Sequence, residues 1–207
     1  MLADTDLLAA WRGGDKEAGK ALFARHYEAV ARFFRNKVGA EAPDLVQKTF
    51  LGCVESMDGF RGDGSFRSFL FAVAYRQLCK HYRVRSAHDE RFDVGTVSAY
   101  ALDPTPSRVL AERQEQRLLL EGLRRIPVAF QVVLELHYWE EMSASEIASS
   151  LEMALGTTKS RIRRGRELLA EQVSGLAGSS EPLDSTLSNL DRWAAALREQ
   201  ALGSHKT

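Results

Sequence analysis

Two short windows hold the residues best able to grip a polyanion. Residues 61–85 carry six bases, Arg61, Arg67, Arg76, Lys80, Arg83 and Arg85, against one acid, Asp63, a balance of +5. Residues 156–166 carry five, Lys159, Arg161, Arg163, Arg164 and Arg166, with no acid, again +5. Bases clustered this way neutralise phosphates, and arginine forks also reach base edges. The first window interleaves its bases with Phe66, Phe69, Phe71, Tyr75 and Tyr82, and single-stranded bases stack on such rings. One basic run alone is as much at home on a solvated helix face. Two, one of them rich in aromatics, tip the reading to nucleic acid.

Covalent chemistry has no comparable signature. The chain contains no GxxxxGK[ST], HExxH, GxSxG or CxxC, and its five histidines, His26, His81, His88, His137 and His205, show no ligand spacing. No enzyme, metal site or cofactor is therefore expected. Cys53 and Cys79 lie in apolar helical stretches and read as reduced, buried small hydrophobes.

The 207 residues include 28 Lys plus Arg and 28 Asp plus Glu, with 44% hydrophobic and 27% charged residues. This is a globular profile, which excludes a wholly disordered chain. Two cysteines exclude a disulfide scaffold. Zero net charge argues at first against a nucleic-acid binder. By segment, however, it is a background of −10 carrying the two +5 sites, which suits a protein that binds free DNA poorly and needs a partner to place both sites. The longest apolar run, Phe69 to Tyr75, has seven residues, far short of the ~20 that a membrane helix needs. The opening MLADTDLLAAW carries acids where a signal peptide carries bases, so no membrane span and a cytoplasmic location are expected.

The elements that must position these residues read as helices throughout, so the expected fold is all-α. It has two small helical domains joined by a flexible linker, plus a C-terminal amphipathic helix. Asp4 is expected to cap a short helix that Gly13-Gly14 stops. Asp15 opens the next, with Leu22, Phe23, Val30, Phe33 and Phe34 at three-four spacing. Pro43 suits the first turn of a helix through about Met57, whose apolar face carries Leu45, Val46, Phe50 and Val54. After the glycine-rich MDGFRGDGS, Ser65 starts a helix to about Arg85. Phe66, Phe69, Phe71 and Val73 have core spacing there, leaving Phe60, Tyr75 and Tyr82 as the aromatics for DNA. Residues 86–106 lose the period and end in DPTPS, a linker by composition. The expected domains are 1–88, a linker 89–108, 109–176, and an extension 177–207.

In the second domain, helices run from about Ser107 to Ile126 and from Pro127 to Trp139. Ser143 and Glu146 form an S-x-x-E capping box. Ile147, Ala148 and Leu151 are the buried side of that helix, and a break at residues 152–154 leads to another from about Leu155 to Val173. Two short helices with a tight turn make a helix-turn-helix. On the second, Thr158, Ile162, Gly165 and Leu169 share one side, and Ser160, Arg163, Arg164 and Glu167 the other, with Lys159 and Arg161 on the flanks. A recognition helix needs an apolar side to pack and long donors to reach the major groove. Beyond Gly178, Leu183, Leu187, Leu190, Trp193 and Leu197 recur at helical spacing; an isolated helix of that length is marginal in water and must dock.

These residues resemble a known family, the extracytoplasmic-function (ECF) sigma factors, the small two-domain class of bacterial sigma factors. Asp44-Leu45-Val46-Gln47-Lys48-Thr49-Phe50 is close to its D-L-V-Q-[acid]-T-F signature. Phe60-Arg61-Gly62, Ser65-Phe66-Arg67, Phe69-Leu70 and Ala74 resemble the loop and helix that follow. Ile126-Pro127, Leu134, Tyr138 and the run from Ser143 to Leu169 resemble its C-terminal helix-turn-helix. The similarity covers about residues 5–85 and 110–172.

The resemblance implies roles. Asp44, Leu45, Gln47 and Phe50 would contact core RNA polymerase at the β′ clamp helices, with the β flap as a further polymerase contact. Phe60, Arg61 and Asp63 would line the pocket for a flipped base of the minus-10 element, with Tyr75, Arg76, Lys80 and Arg83 on adjoining DNA. Lys159, Ser160, Arg161, Arg163 and Arg164 would read the minus-35 element. The linker would thread toward the polymerase active centre and RNA exit path. An anti-sigma factor is a further candidate partner. Departures stand at Lys48, where an acid is usual; Phe69, for a common Trp; Arg76 and Lys80, for Asn and Asp; and Glu152, for the turn Gly. The rival reading is a helix-turn-helix transcriptional regulator with no polymerase-docking role. A more distant rival is a helical adaptor whose basic faces bind a protein.

Overall fold

A computed structural model describes residues 2–60, 64–85, 93–103 and 114–177. Arg61, Asp63, both ends of the expected linker, the start of the helix expected near Ser107 and the tail from 178 lie outside the described residues. What is described is helical. No strand occurs among these residues, only a lone bridge between Ser98 and Pro127.

Helix α1, Asp4–Arg12, begins differently from the expectation. Ala3 is its N-cap, and the Asp6 carboxylate accepts the Ala3 N–H at 3.2 Å. Asp4 is already inside the helix, and its carboxylate turns to the next helix, accepting from Arg25 and meeting His26 Nε2 at 2.7 Å. Gly14, at φ 98°, makes the turn that ends α1. Asp15 then caps α2, Lys16–Val38, by accepting the N–H groups of Glu17 and Ala18. Gly19 lets α1 and α2 close, because a Cβ there would lie 2.8 Å from the Trp11 ring. A short 3₁₀ turn leads to α3, Ala42–Glu55, with Pro43 in its first turn as expected.

Helix α4, Phe66–Arg85, starts where the Ser65 hydroxyl accepts the Ser68 N–H at 3.1 Å. Part of the expected linker is an ordered strap. Residues 93–103 contain a one-turn helix α5, Ala99–Leu102, with Ala99 fully buried. Val128 and Ala129 donate backbone N–H groups to the carbonyls of Val97 and Val94, both at 2.9 Å, and Arg124 donates to the Asp103 carbonyl. Too short to show an apolar period, the strap is held by these backbone hydrogen bonds and by Ala99, Val94 and Leu102 against the core.

The remaining helices are α6, Gln114–Arg125; α7, Val128–Tyr138; α8, Ala144–Ser150; and α9, Leu155–Ala177. Ser143 and Glu146 form the expected capping box on α8, and Pro127 is the N-cap of α7. The break between α8 and α9 carries Glu152 at φ 54°, the left-handed conformation that a glycine adopts without steric penalty.

Packing joins the two halves. One core takes Leu22, Phe34, Leu70, Phe71 and Leu78 from the first four helices together with Val132, Leu136, Ile147 and Leu151 from α7 and α8. A smaller core gathers Leu119, Leu123, Leu134, Trp139, Leu169 and Val173 around α6, α7 and α9.

Candidate nucleic-acid interface

Helix α9 has the two sides that its spacing implies. Thr158, Gly165 and Leu169 are buried and Ile162 half-buried, whereas Lys159, Ser160, Arg163 and Arg164 are exposed. Arg161 is half-buried on the flank and its guanidinium donates to Met153 Sδ at 3.3 Å. The exposed arginines are engaged within the helix. Arg163 and Arg164 donate to the two oxygens of Glu167 at 2.9 and 3.0 Å, and Arg164 lies 3.7 Å from Glu171. The hydrogen bond from Arg164, aided by Arg163, holds the Glu167 carboxyl below its usual range.

Helix α4 offers a second basic face. Arg76, Lys80 and Arg83, four and three residues apart, are all exposed and form one stripe. Tyr75 beside them is half-buried; burial first, then its contact with Cys79, pushes its phenol up. Phe60 is half-buried and stacks on Phe69 at 4.6 Å, with the Arg12 guanidinium 5.3 Å from its ring centre. Phe66, Phe71 and Val73 are core, as their spacing predicts; Phe69 is only half-buried. Tyr82 is a correction. It is 1% exposed, and its hydroxyl donates to the Lys37 carbonyl at 3.0 Å, so it is a core tyrosine with a satisfied hydroxyl rather than a DNA contact.

Helix α3 presents a third face. Asp44 and Gln47 are exposed and Phe50 is half-buried, stacked nearly parallel on Tyr27 at 6.2 Å. Lys48 reaches back to Asp44 at 2.6 Å, so the unusual lysine neutralises the signature's first acid. Leu45 is a second correction. Only 3% exposed, it points into the core and supports the helix instead of offering a contact. Val54, expected on the apolar side, is 50% exposed, and Leu51 is 55% exposed. With Gln47 they extend one outward stripe that spacing alone misses, because adjacent Phe50 and Leu51 cannot both be assigned inward or outward from periodicity. The exposed ring of Tyr27 on α2 was equally silent.

Burial pushes the Cys53 thiol up to about 12, removing it as a nucleophile. No cluster of three metal-ligating side chains occurs among the described residues, and none of their helices is long and apolar enough to cross a membrane.

Known proteins share both the sequence and this arrangement. The sigma-70 region 2 family matches residues 22–88 and the sigma-70 region 4 family matches residues 116–169, together more than half of the chain. The ECF RNA polymerase sigma-E factor of Haemophilus influenzae is 27% identical over 188 residues, covering 85% of this chain and 98% of that protein. The factor of the same name from Escherichia coli K12 is 24% identical over 185 residues, covering 85% and 97%. Among solved structures, CnrH in complex with the cytosolic domain of CnrY superposes with a TM-score of 0.58 at 23% identity, over 86% of this chain and 99% of that one. The sigma factor RpoE in complex with the anti-sigma factor NepR from Bartonella quintana gives 0.56 at 21%, over 75% and 96%. At such identities the structures speak for the fold, and the family models and relatives speak for its use. Region 2 falls on the helices that carry the α3 and α4 faces and region 4 on the helix-turn-helix, and the chain belongs to the ECF sigma factors, the subunits that direct RNA polymerase to promoters.

Proposed function

We propose a division of labour among the three faces of this sigma factor. The α3 stripe of Asp44, Gln47 and Phe50, extended by Leu51 and Val54, docks on core RNA polymerase. The α4 stripe of Arg76, Lys80 and Arg83, with Tyr75 and Phe60 beside it, holds the melted minus-10 strand, to which Arg61 and Asp63 are assigned by their place in the family's loop. On α9, Lys159, Ser160, Arg163 and Arg164 read the minus-35 duplex, flanked by Arg161. The protein itself makes and breaks no covalent bond.

The observation that carries this reading is the opposition of sides on α9. Thr158, Gly165 and Leu169 are buried while the four polar and basic side chains opposite them are exposed, the arrangement that lets a helix-turn-helix present donors to a groove. The neighbour solved with an anti-sigma factor supports a protein inhibitor as a partner of this chain too.

Run-off transcription with purified core polymerase on promoter fragments tests the assignment. Core binding, open-complex formation and a defined transcript are expected. Tight duplex binding without polymerase would favour a regulator instead, and binding to neither would favour a protein adaptor.

A further inference from the structure

Helix α1 is fastened at both ends. At its start the Asp4 carboxylate meets Arg25 and His26 on α2. At its end the Trp11 ring stands edge-on to Phe23 at 5.0 Å and to Phe66 at 6.5 Å, where α1 packs against α4. The residue after this anchor is Arg12, in the last turn, and it is exposed. Its guanidinium lies over the Phe60 ring. No acid among the described residues pairs with it. The next two along the chain are engaged elsewhere, Asp15 in capping α2 and Glu17 with Lys20 at 2.6 Å. Arg12 stands outside both +5 windows, so the charge pattern passes over it.

Phe60 links this cation to α4. It stacks on Phe69 at 4.6 Å, with the ring planes 29° apart. Phe69 comes seven residues before Arg76, eleven before Lys80 and fourteen before Arg83, so all four lie on one side of the helix. At 1.5 Å per residue that side runs about 21 Å from Phe69 to Arg83. Arg12 adds a cation at its aromatic end. The order along the surface is then one cation, a stacked pair of rings, and three cations. A single strand is held by such alternation, the rings taking bases and the cations taking the phosphates on either side. A guanidinium 5.3 Å from a ring centre holds the ring by cation–π attraction and leaves its N–H donors for an oxygen anion.

We propose that Arg12 binds a phosphate of the melted minus-10 strand and, through its contact with Phe60, keeps that ring against Phe69 for the neighbouring base. Helix α1 then serves the DNA-facing surface as well as the core, and the strand is held on both sides of the ring pair. The inference rests on the minus-10 assignment of α4 made above.

Holoenzyme and a labelled single strand test it, the strand being the non-template minus-10 segment of a promoter that gives a run-off transcript. The affinity of each protein is read across a salt series. Arg12→Ala should bind more weakly than wild type, and its plot of log affinity against log salt should be shallower by about 0.7, the share of one phosphate contact on a single strand. The wild-type advantage should then narrow about 2.6-fold between about 50 and 200 mM salt. Arg12→Lys should keep the wild-type slope. Phe60→Leu should weaken binding without changing the slope, since it removes a ring and no charge. Should Arg12→Ala lose helix by far-ultraviolet dichroism, Arg12→Gln, which keeps the stem and drops the charge, takes its place. An unaltered slope in the folded variant without the charge, whether or not affinity falls, would overturn the phosphate contact. Lys80→Ala and Arg83→Ala separate this result from the reading beneath it. A shallower slope in those two and none in Arg12→Ala removes Arg12 alone, whereas three unchanged slopes remove the minus-10 role of α4 and Arg12 with it.

Discussion

Gly165 on α9 and Leu134 on α7 approach so closely that a Cβ on the glycine would lie 3.2 Å from Leu134 Cγ and 3.3 Å from its Cδ1. The helical backbone gives Gly165 no conformational reason to be glycine; the reason is space. Gly165→Val should force α9 outward and cost about 1–3 kcal/mol, with Gly165→Ala in the lower part of that range. Thermal unfolding measures the cost. Minus-35 duplex binding by the holoenzyme should fall with it, because the same displacement moves Arg163 and Arg164.

Those two arginines share Glu167, so on the proposed minus-35 role DNA must take them from it. Arg163→Ala or Arg164→Ala should remove about 1–3 kcal/mol of discrimination if the side chain reaches a base edge. Glu167→Gln should act in the opposite direction, tightening duplex binding by releasing both forks and removing a negative charge from the DNA-facing side. Anisotropy titrations with holoenzyme and a labelled minus-35 duplex, at several salt concentrations, check both signs. Weaker binding by Glu167→Gln would mean that the carboxylate positions the arginines instead of competing for them.

Leu45 and Leu51 separate support from contact on one helix. Leu45→Ala empties a core site and should cost about 2–5 kcal/mol of stability. Leu51→Ser and Val54→Ser alter exposed positions and should leave stability within about 0.5 kcal/mol. Each should weaken core polymerase binding by on the order of 1 kcal/mol if the proposed docking buries their apolar surface. Gln47→Ala with Phe50→Ala should weaken it further. Chemical unfolding and a core-binding titration on the same proteins give both readouts.

Much of this was legible before any coordinates, and the particular failures have causes. The side of α9 that packs followed from four residues at three-four spacing, because a helix packed along a single stripe obeys its period. The capping boundaries at Asp15 and Ser143 were legible because their chemistry is local. Tyr82 was misjudged for the opposite reason: α2, α3, α4 and α7 surround one core, and which flank of a many-sided helix turns inward depends on distant partners such as Lys37. Leu45 was placed inward by its spacing, and only the contact role carried over from the resemblance fails. The same holds for Asp4 as for Tyr82. A helix-start aspartate reads as a cap, yet Arg25 and His26 on the next helix claim its carboxylate. The strap at residues 93–103 was invisible because it is too short to show a period, although backbone hydrogen bonds and the side chains of Val94, Ala99 and Leu102 hold it.

The α8 cap makes stability depend on pH in a stated direction. The Ser143 hydroxyl accepts the Glu146 N–H at 3.2 Å, and the Ser143 N–H donates to the Glu146 carboxylate at 2.8 Å. That backbone hydrogen bond, first among its causes, lowers the Glu146 carboxyl from its ordinary 4.5. A lowered carboxylate stabilises the fold fully above the unfolded value and loses that contribution as pH falls through the folded one. Wild type should therefore lose this increment below about pH 4.5. Glu146→Gln, which keeps an acceptor but does not titrate, should flatten that part of the acid limb. Ser143→Ala should cost about 1 kcal/mol at neutral pH while keeping most of the Glu146 dependence, since the backbone N–H remains. Melting temperatures of the three proteins between pH 3 and pH 7 decide it, and an acid limb unchanged by Glu146→Gln would assign it to other carboxylates, Asp4 first, whose bonds from His26 and Arg25 outweigh burial and lower it as well.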